Sequence, residues 1–293
     1  MHVYSENVIV KLQGGLGNQF FQYATGKSLA LRLGLQLVLD LNWYLDNSNC
    51  KFILDRFKIY DSSWTPSKKI PRKIRTVLYK LSEKISPIGL TLPVLKDIDF
   101  QFNHDLLSMR KPVLLDGYWQ NESYFREYRK ELIQLFEIKG EITADNHQLL
   151  NKIKSSNSIC IHIRRGDYIT DSNAARINGV CSKDYYYRGL NYLSESINHP
   201  ICYVFSDEPE WAKSNLDFDC ETLFVDINSI DKPEFDFLLM KSCKNFIIAN
   251  STFSWWAAWL SNYKDKKVIA PKVWFLNSIL NKNMKLPESW LRI

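Results

Sequence analysis

Short apolar runs rich in β-branched residues recur along the chain, at Val8 to Leu12, Leu35 to Leu39, Val113 to Leu115, Ile159 to Ile163, Ile201 to Phe205, Thr222 to Val225, Phe246 to Ala249 and Val268 to Ala270. Between most of them lie segments whose apolar residues return at helical spacing: Phe20 to Leu33, closed by Gly34, then Tyr185 to Ile197, Glu234 to Cys243 and Phe253 to Leu260. Runs this short and apolar suit strands. A helix between successive strands makes them parallel, through a right-handed crossover. The pattern predicts an α/β protein, and 293 residues provide chain for two such domains. The polar stretch Lys152-Ile153-Lys154-Ser155-Ser156-Asn157-Ser158 marks the boundary, giving domains at 1–155 and 156–293.

Composition narrows the partners. An excess of 38 Lys+Arg over 32 Asp+Glu, a formal net charge of +6, favours anions yet is too small to imply nucleic acid. Phosphates on a small donor would satisfy it. The six cysteines, Cys50, Cys160, Cys181, Cys202, Cys220 and Cys243, form no C-x-x-C pair and read as reduced core residues of a cytoplasmic protein. The chain enters Val8-Ile9-Val10 without a charged leader and holds no run of apolar residues long enough to span a bilayer, so a soluble protein is expected.

The chemistry gathers at strand ends. In Cys160-Ile161-His162-Ile163-Arg164-Arg165-Gly166-Asp167-Tyr168 an apolar run stops at two guanidinium groups and a carboxylate. Ligands of α/β sheets bind beyond the carboxyl ends of the strands, where arginines meet phosphate. The alternative is an Arg–Asp pair closing a turn. His162 and Arg164, two apart, point to the same side of a strand. Gly14-Gly15-Leu16-Gly17-Asn18-Gln19 lies between the first strand and the first helix, where bare amides and the helix dipole favour an anion; a purely structural turn is the other reading. A dinucleotide fingerprint would need glycine where Phe20 stands. Gly26-Lys27-Ser28 would need glycine at Phe21 to be a P-loop. Asp207, in Phe205-Ser206-Asp207-Glu208-Pro209, either caps the following helix or accepts from a nucleobase or ribose. Asn250-Ser251-Thr252-Phe253-Ser254-Trp255-Trp256 opens a further helix with hydroxyls and amides suited to an anion, its tryptophans packing the helix.

Metal use is not expected. Asp97-Ile98-Asp99 and Asp217-Phe218-Asp219 match a D-x-D pattern without a convincing central strand before them, and the five histidines lack ligand spacing. Arginine can neutralise a leaving diphosphate instead. Residues 66–87 combine Lys68, Lys69, Arg72, Lys73, Arg75, Lys80 and Lys84 with apolar residues at helical spacing. Two readings stand for this segment, a solvated helix covering the N-terminal domain and a peripheral contact with an anionic membrane at its inner face.

Together, G-G-L-G-N-Q at 14–19, H-I-R-R-G-D-Y at 162–168, F-S-D-E-P at 205–209 and N-S-T-F-S-W-W at 250–256 resemble, in order, the motifs of the bacterial α-1,2-fucosyltransferases of glycosyltransferase family 11. The resemblance implies a GT-B-type arrangement, two Rossmann-like domains facing a cleft, with the N-terminal one on the acceptor side and the C-terminal one binding the donor. It implies inverting transfer of L-fucose from GDP-β-L-fucose to the 2-hydroxyl of a galactose-terminated glycan, without cofactor or metal. Arg164 would then bind the β-phosphate and steady the departing GDP, His162 and Asp207 would contact guanine or its ribose, and Asn18 the pyrophosphate. Gly15, Gly17, Gln19, Asn250, Ser251, Thr252, Phe253 and Ser254 would complete the donor site. Asp167 is a candidate general base or a brace for Arg164, and Asp171 a second candidate base. Residues 41–110, where the motifs fall silent, would select the acceptor. Another metal-independent GDP-sugar transferase, or a non-catalytic nucleotide- or sugar-binding module, remain the alternatives.

Overall fold

The computed structural model describes residues 7–47, 50–64 and 92–293. The basic segment 66–87 lies outside them. Contacts divide the chain into two units, one reaching to Glu137 and including Asn283–Lys285, the other Ile138–Lys282 with Leu286–Ile293. The division falls ahead of the boundary read from the sequence. The reason is the helix Ala144–Ser155, which packs on a strand and a helix of the second unit, while its basic last turn, Lys152 and Lys154, gives the segment its linker-like polarity.

The first unit carries a parallel sheet of β1 (Asn7–Lys11), β2 (Gln36–Asp40), β3 (Ser62–Trp64), β4 (Val94–Lys96) and β5 (Val113–Asp116), in the order β3-β2-β1-β5-β4. The helix Leu16–Leu33 packs on it, stopped by Gly34 at φ 66°, a left-handed cap that glycine adopts without strain. A Cβ at Gly26 would lie 2.9 Å from Leu37 and 3.2 Å from Val10, so this glycine lets the helix approach β1 and β2. Lys27 pairs with Asp61 at 2.7 Å. Gly26-Lys27-Ser28 is therefore a packing feature. Phe20 meets Phe57 and Phe136 at ring distances of 5.0 and 4.2 Å on the same helix flank.

The second unit carries β6 (Asn157–Ile163), β7 (Pro200–Ser206), β8 (Glu221–Val225), β9 (Asn245–Ile247), β10 (Val268–Ala270) and β11 (Leu291–Arg292), all parallel, in the order β11-β10-β9-β6-β7-β8. Ile159, Ile161 and Ile163 point into one core with Tyr185, Tyr186 and Leu193. Trp255 and Trp256 are fully buried, and Trp255 stacks on Trp259 at 5.9 Å, so these indoles pack the helix Thr252–Leu260. Both units are thus Rossmann-like α/β structures. Cys160, Cys202 and Cys243 are buried, and Cys181 and Cys220 are half-buried. Among the described residues no helix is long and apolar enough to cross a membrane.

Strand order reverses once in each sheet: between β1 and β5 in the first unit, and between β6 and β9 in the second. At such a point the loops leaving neighbouring strands diverge and open a crevice.

Candidate functional site

At the second unit's reversal, β6 delivers His162, Arg164 and Arg165 to the edge of the sheet. The two arginines differ. Arg165 is spent on structure: its Nε donates to Glu208 at 2.9 Å, its guanidinium lies 3.6 Å from the Trp211 ring centroid, and its backbone N–H donates to Asp207 at 3.0 Å. Arg164 keeps 35 % of its side chain exposed while two carboxylates hold its fork, Asp167 at 2.8 Å and Asp207 at 3.3 Å. A cation braced on one side and open on the other is organised to receive an anion.

Asp207 turns back toward this loop. The helix Pro209–Asn215 has no side-chain cap, and the Glu208 N–H is met by Ser206 Oγ at 3.0 Å, so the cap alternative for Asp207 does not hold. Burial lifts the Asp207 carboxyl above its ordinary range, opposed by Arg164 and by the Arg165 amide. A Cβ at Gly166 would stand 2.8 Å from an Asp207 oxygen, which is why glycine follows the arginine pair. His162 is 5 % exposed, and burial, then the charge of Arg164, pushes its imidazole down to about 3, so it is neutral at physiological pH. Its buried Nδ1 has no partner.

The candidate bases are occupied. Asp167 is tied to Arg164, and Asp171 caps the helix Ser172–Asn178 by accepting from the amides of Asn173 and Ala174 at 2.8 and 3.1 Å. Of the two roles open to Asp167, the geometry displays the brace.

Across the crevice, the loop after β9 leads into the helix Thr252–Leu260. Ser251 caps it, accepting from Phe253 N–H at 3.3 Å, and Ser254 is fully buried with its hydroxyl on Ala249 and Ser251 carbonyls. Asn250 is 3 % exposed, and its amide nitrogen donates to the carbonyls of Asn178, Gly179 and Trp274 at 2.8, 3.3 and 3.1 Å. Its side chain is a clamp on the scaffold. Thr252 and Phe253 remain half-exposed, with the Phe253 ring 5.9 Å from that of His162. Tyr168 bridges the crevice, donating to the Asn250 carbonyl at 3.0 Å with its ring 5.7 Å from the Arg164 guanidinium. Its role went unseen in the sequence, where it reads as one more aromatic after a turn.

Further along the same edge, Asn146 and Asn228 exchange amide hydrogen bonds at 2.7 and 3.0 Å, and Asn228 donates to Asp236 at 2.8 Å. Burial pushes the Asp236 carboxyl up to about 6, against the pull of the Asn228 bond. Asn146 lies far in sequence from Asn228 and Asp236, and no motif joins them.

In the first unit the glycine loop behaves differently from expectation. Gln19 is fully buried and saturated: its Nε2 donates to the carbonyls of Gly14 and Lys51 at 3.0 and 2.8 Å, and its Oε1 accepts from Ile53 at 3.0 Å. Gly17 is buried, Gly15 is exposed, and Asn18 is half-exposed with Oδ1 accepting from Gln120 at 3.1 Å. Asp97 follows the edge strand β4, and its Oδ2 accepts from the amides of Tyr118 and Trp119 at 3.2 and 2.9 Å. It shapes the loop after β5. Among the described residues no group of three or more His, Cys, Asp or Glu could hold a metal ion.

A family model and two relatives span nearly the whole chain. An α-1,2-colitosyltransferase of Escherichia coli is 36 % identical over 98 % of this chain and 98 % of that protein. The O-antigen biosynthesis glycosyltransferase WbnK of Escherichia coli is 32 % identical over 96 % of this chain and 99 % of that protein. The galactoside 2-alpha-L-fucosyltransferase SEC1 of Bos taurus is 23 % identical over 51 % of this chain and 42 % of that protein. The model of Glycosyl transferase family 11 matches residues 7–293, all four motif segments included, and the chain belongs to that family.

Proposed function

We propose that this glycosyltransferase transfers L-fucose, with inversion, from GDP-β-L-fucose to the 2-hydroxyl of a galactosyl residue on a glycan, forming an α-1,2-fucoside. The observation that carries the reading is Arg164, braced by Asp167 and Asp207 at the reversal of a parallel sheet yet open to solvent. The transition state has oxocarbenium character on the sugar and gathers negative charge on the diphosphate. A pre-oriented guanidinium stabilises that charge without reorganising. Arg164 is the catalytic residue of this reading; Asp167 acts through it. His162 and Asp207 serve the base or ribose end, and Thr252 and Phe253 line the phosphates and sugar from the opposite wall. No metal enters, because Arg164 takes the cation's place.

The 36 % identity to an α-1,2-colitosyltransferase favours a second reading in which the donor carries a colitosyl group. The full chain is incubated with GDP-fucose and lactose in excess EDTA, and the product is identified by mass and by NMR of the linkage. The expected product is 2′-fucosyllactose with stoichiometric GDP. Absence of transfer to any galactoside overturns the reading. A higher kcat/KM with a colitosyl donor replaces it by the second, and dependence on added manganese or magnesium removes the metal-free mechanism.

A further inference from the structure

At the end of β7 remote from Asp207, two thiols meet. Cys202 stands near the start of that strand and is fully buried, while Cys220 stands just ahead of β8 and is half-buried. Their sulfurs are 3.2 Å apart with no bond between them. The backbone holds them there. β8 pairs with β7 so that Thr222 faces Cys202, which lays the turn ahead of β8 against the start of β7. Within that turn the Cys220 N–H donates to the Phe218 carbonyl at 2.7 Å, and the Cys220 carbonyl accepts from Thr222 Oγ1 at 3.0 Å. Burial pushes the Cys202 thiol up, so a reagent in solution meets Cys220 first. Cys160 has Cys243 beside it as well, yet both of these are buried, which gives a reagent no entry.

We propose that Cys202 and Cys220 form a redox modification site, joined as a disulfide when the protein meets a small-molecule disulfide. The Cys220 thiolate attacks one sulfur of the reagent, forming a mixed disulfide and expelling one thiolate, which takes up the Cys220 proton. The Cys202 sulfur then attacks Cys220; the bond from Cys220 to the reagent breaks, and the second thiolate leaves toward solvent with the Cys202 proton. Two protein thiols are oxidised and one reagent disulfide is reduced to two thiols. The bridge closes the segment 202–220, which carries Asp207, Glu208 and Trp211, the groups that hold Arg164 and Arg165. Oxidation thus ties off the base of the loop that braces both arginines and restricts that loop in the unfolded chain.

The test incubates the reduced full chain with a mixture of oxidised and reduced glutathione under native conditions, then quenches in acid, alkylates and digests. The expected result is a peptide pair linked through Cys202 and Cys220, with a Tm about 5 °C higher that falls back on adding dithiothreitol. Cys220→Ser, which exchanges one sulfur for oxygen, should give no linked pair and a Tm indifferent to the oxidant. Alkylation of both cysteines after oxidation, glutathione retained on Cys220 without a bridge, or bridges formed equally among the other cysteines overturns the site. A bridge that leaves the Tm unchanged overturns its effect on the loop.

Discussion

The crevices of the two units share a topology and differ in charge. Each opens where a parallel sheet reverses its strand order, each is crossed by hydrogen bonds between the loops that leave the two strands, and each is entered by a helix from one of those loops. In the first, the strand-end cation is met by a carboxylate from the facing strand. In the second, carboxylates from its own loop and the next hold Arg164 by its flank and leave part of it to solvent. The same topology thus carries two arrangements of charge around one cation, closed off in the first unit and partly open in the second.

The largest effect should come from removing the charge that separates the two crevices. Arg164→Ala should lower the transfer rate by roughly 10² to 10³, about 3 to 4 kcal/mol, the usual cost of losing one preorganised donor to developing negative charge. Initial rates at saturating substrates, with circular dichroism to confirm the fold, check it. Arg164→Lys should recover little, since an ammonium cannot engage both braces and the anion as a fork does. Near wild-type turnover by Arg164→Ala would erase the contrast.

Asn250→Ala tests whether the second crevice depends on its clamp. Three carbonyls lose their donor, that of Trp274 in a buried bond, so a loss of about 2 to 3 kcal/mol in stability is expected, read as a lower Tm. An unchanged Tm would show that the wall stands without it.

The smallest effect concerns pH. His162 is neutral in the folded protein down to about 3, whereas in the unfolded chain it protonates near its ordinary value of about 6.5. Between those values the unfolded state binds more protons, so this group's contribution is full above about 6.5 and is lost as pH falls through the window. Asp236, pushed up to about 6, acts in the opposite sense, gaining a proton on folding as pH falls toward 4. The difference between wild type and His162→Gln isolates the histidine. Urea melts at pH 7 and pH 4.5 should show the variant losing less stability on acidification; equal losses would place a charged imidazole in the folded site.

The central strands were legible because both faces are buried, which leaves short unbroken apolar runs. The strands β3, β4 and β11 were not. They are two or three residues long, read Ser-Ser-Trp, Val-Leu-Lys and Leu-Arg, and exist because a neighbouring strand offers a ladder. The strand-end clusters were legible as residue types in the right places. Their directions were not: Gln19, Asn250 and Ser254 carry the groups a donor site needs, yet turn them onto backbone carbonyls and amides that the fold must satisfy. Lys11 and Asp116 escaped notice although they end their strands with opposite charge. Only the pairing of β1 with β5 makes them neighbours.

The Asn250 clamp also has a consequence in time. The second crevice needs Arg164, Asn250 and the Trp274 carbonyl together, so on the ribosome its far wall cannot close until the segment after β10 has emerged. Parallel pairing delays it further, because β9 cannot add to β6 before two intervening strand–helix repeats have been made. The first unit's β1–β5 ladder needs nothing beyond Asp116. During synthesis the β1–β5 ladder of the first unit is thus complete while β6 in the second is still an open edge.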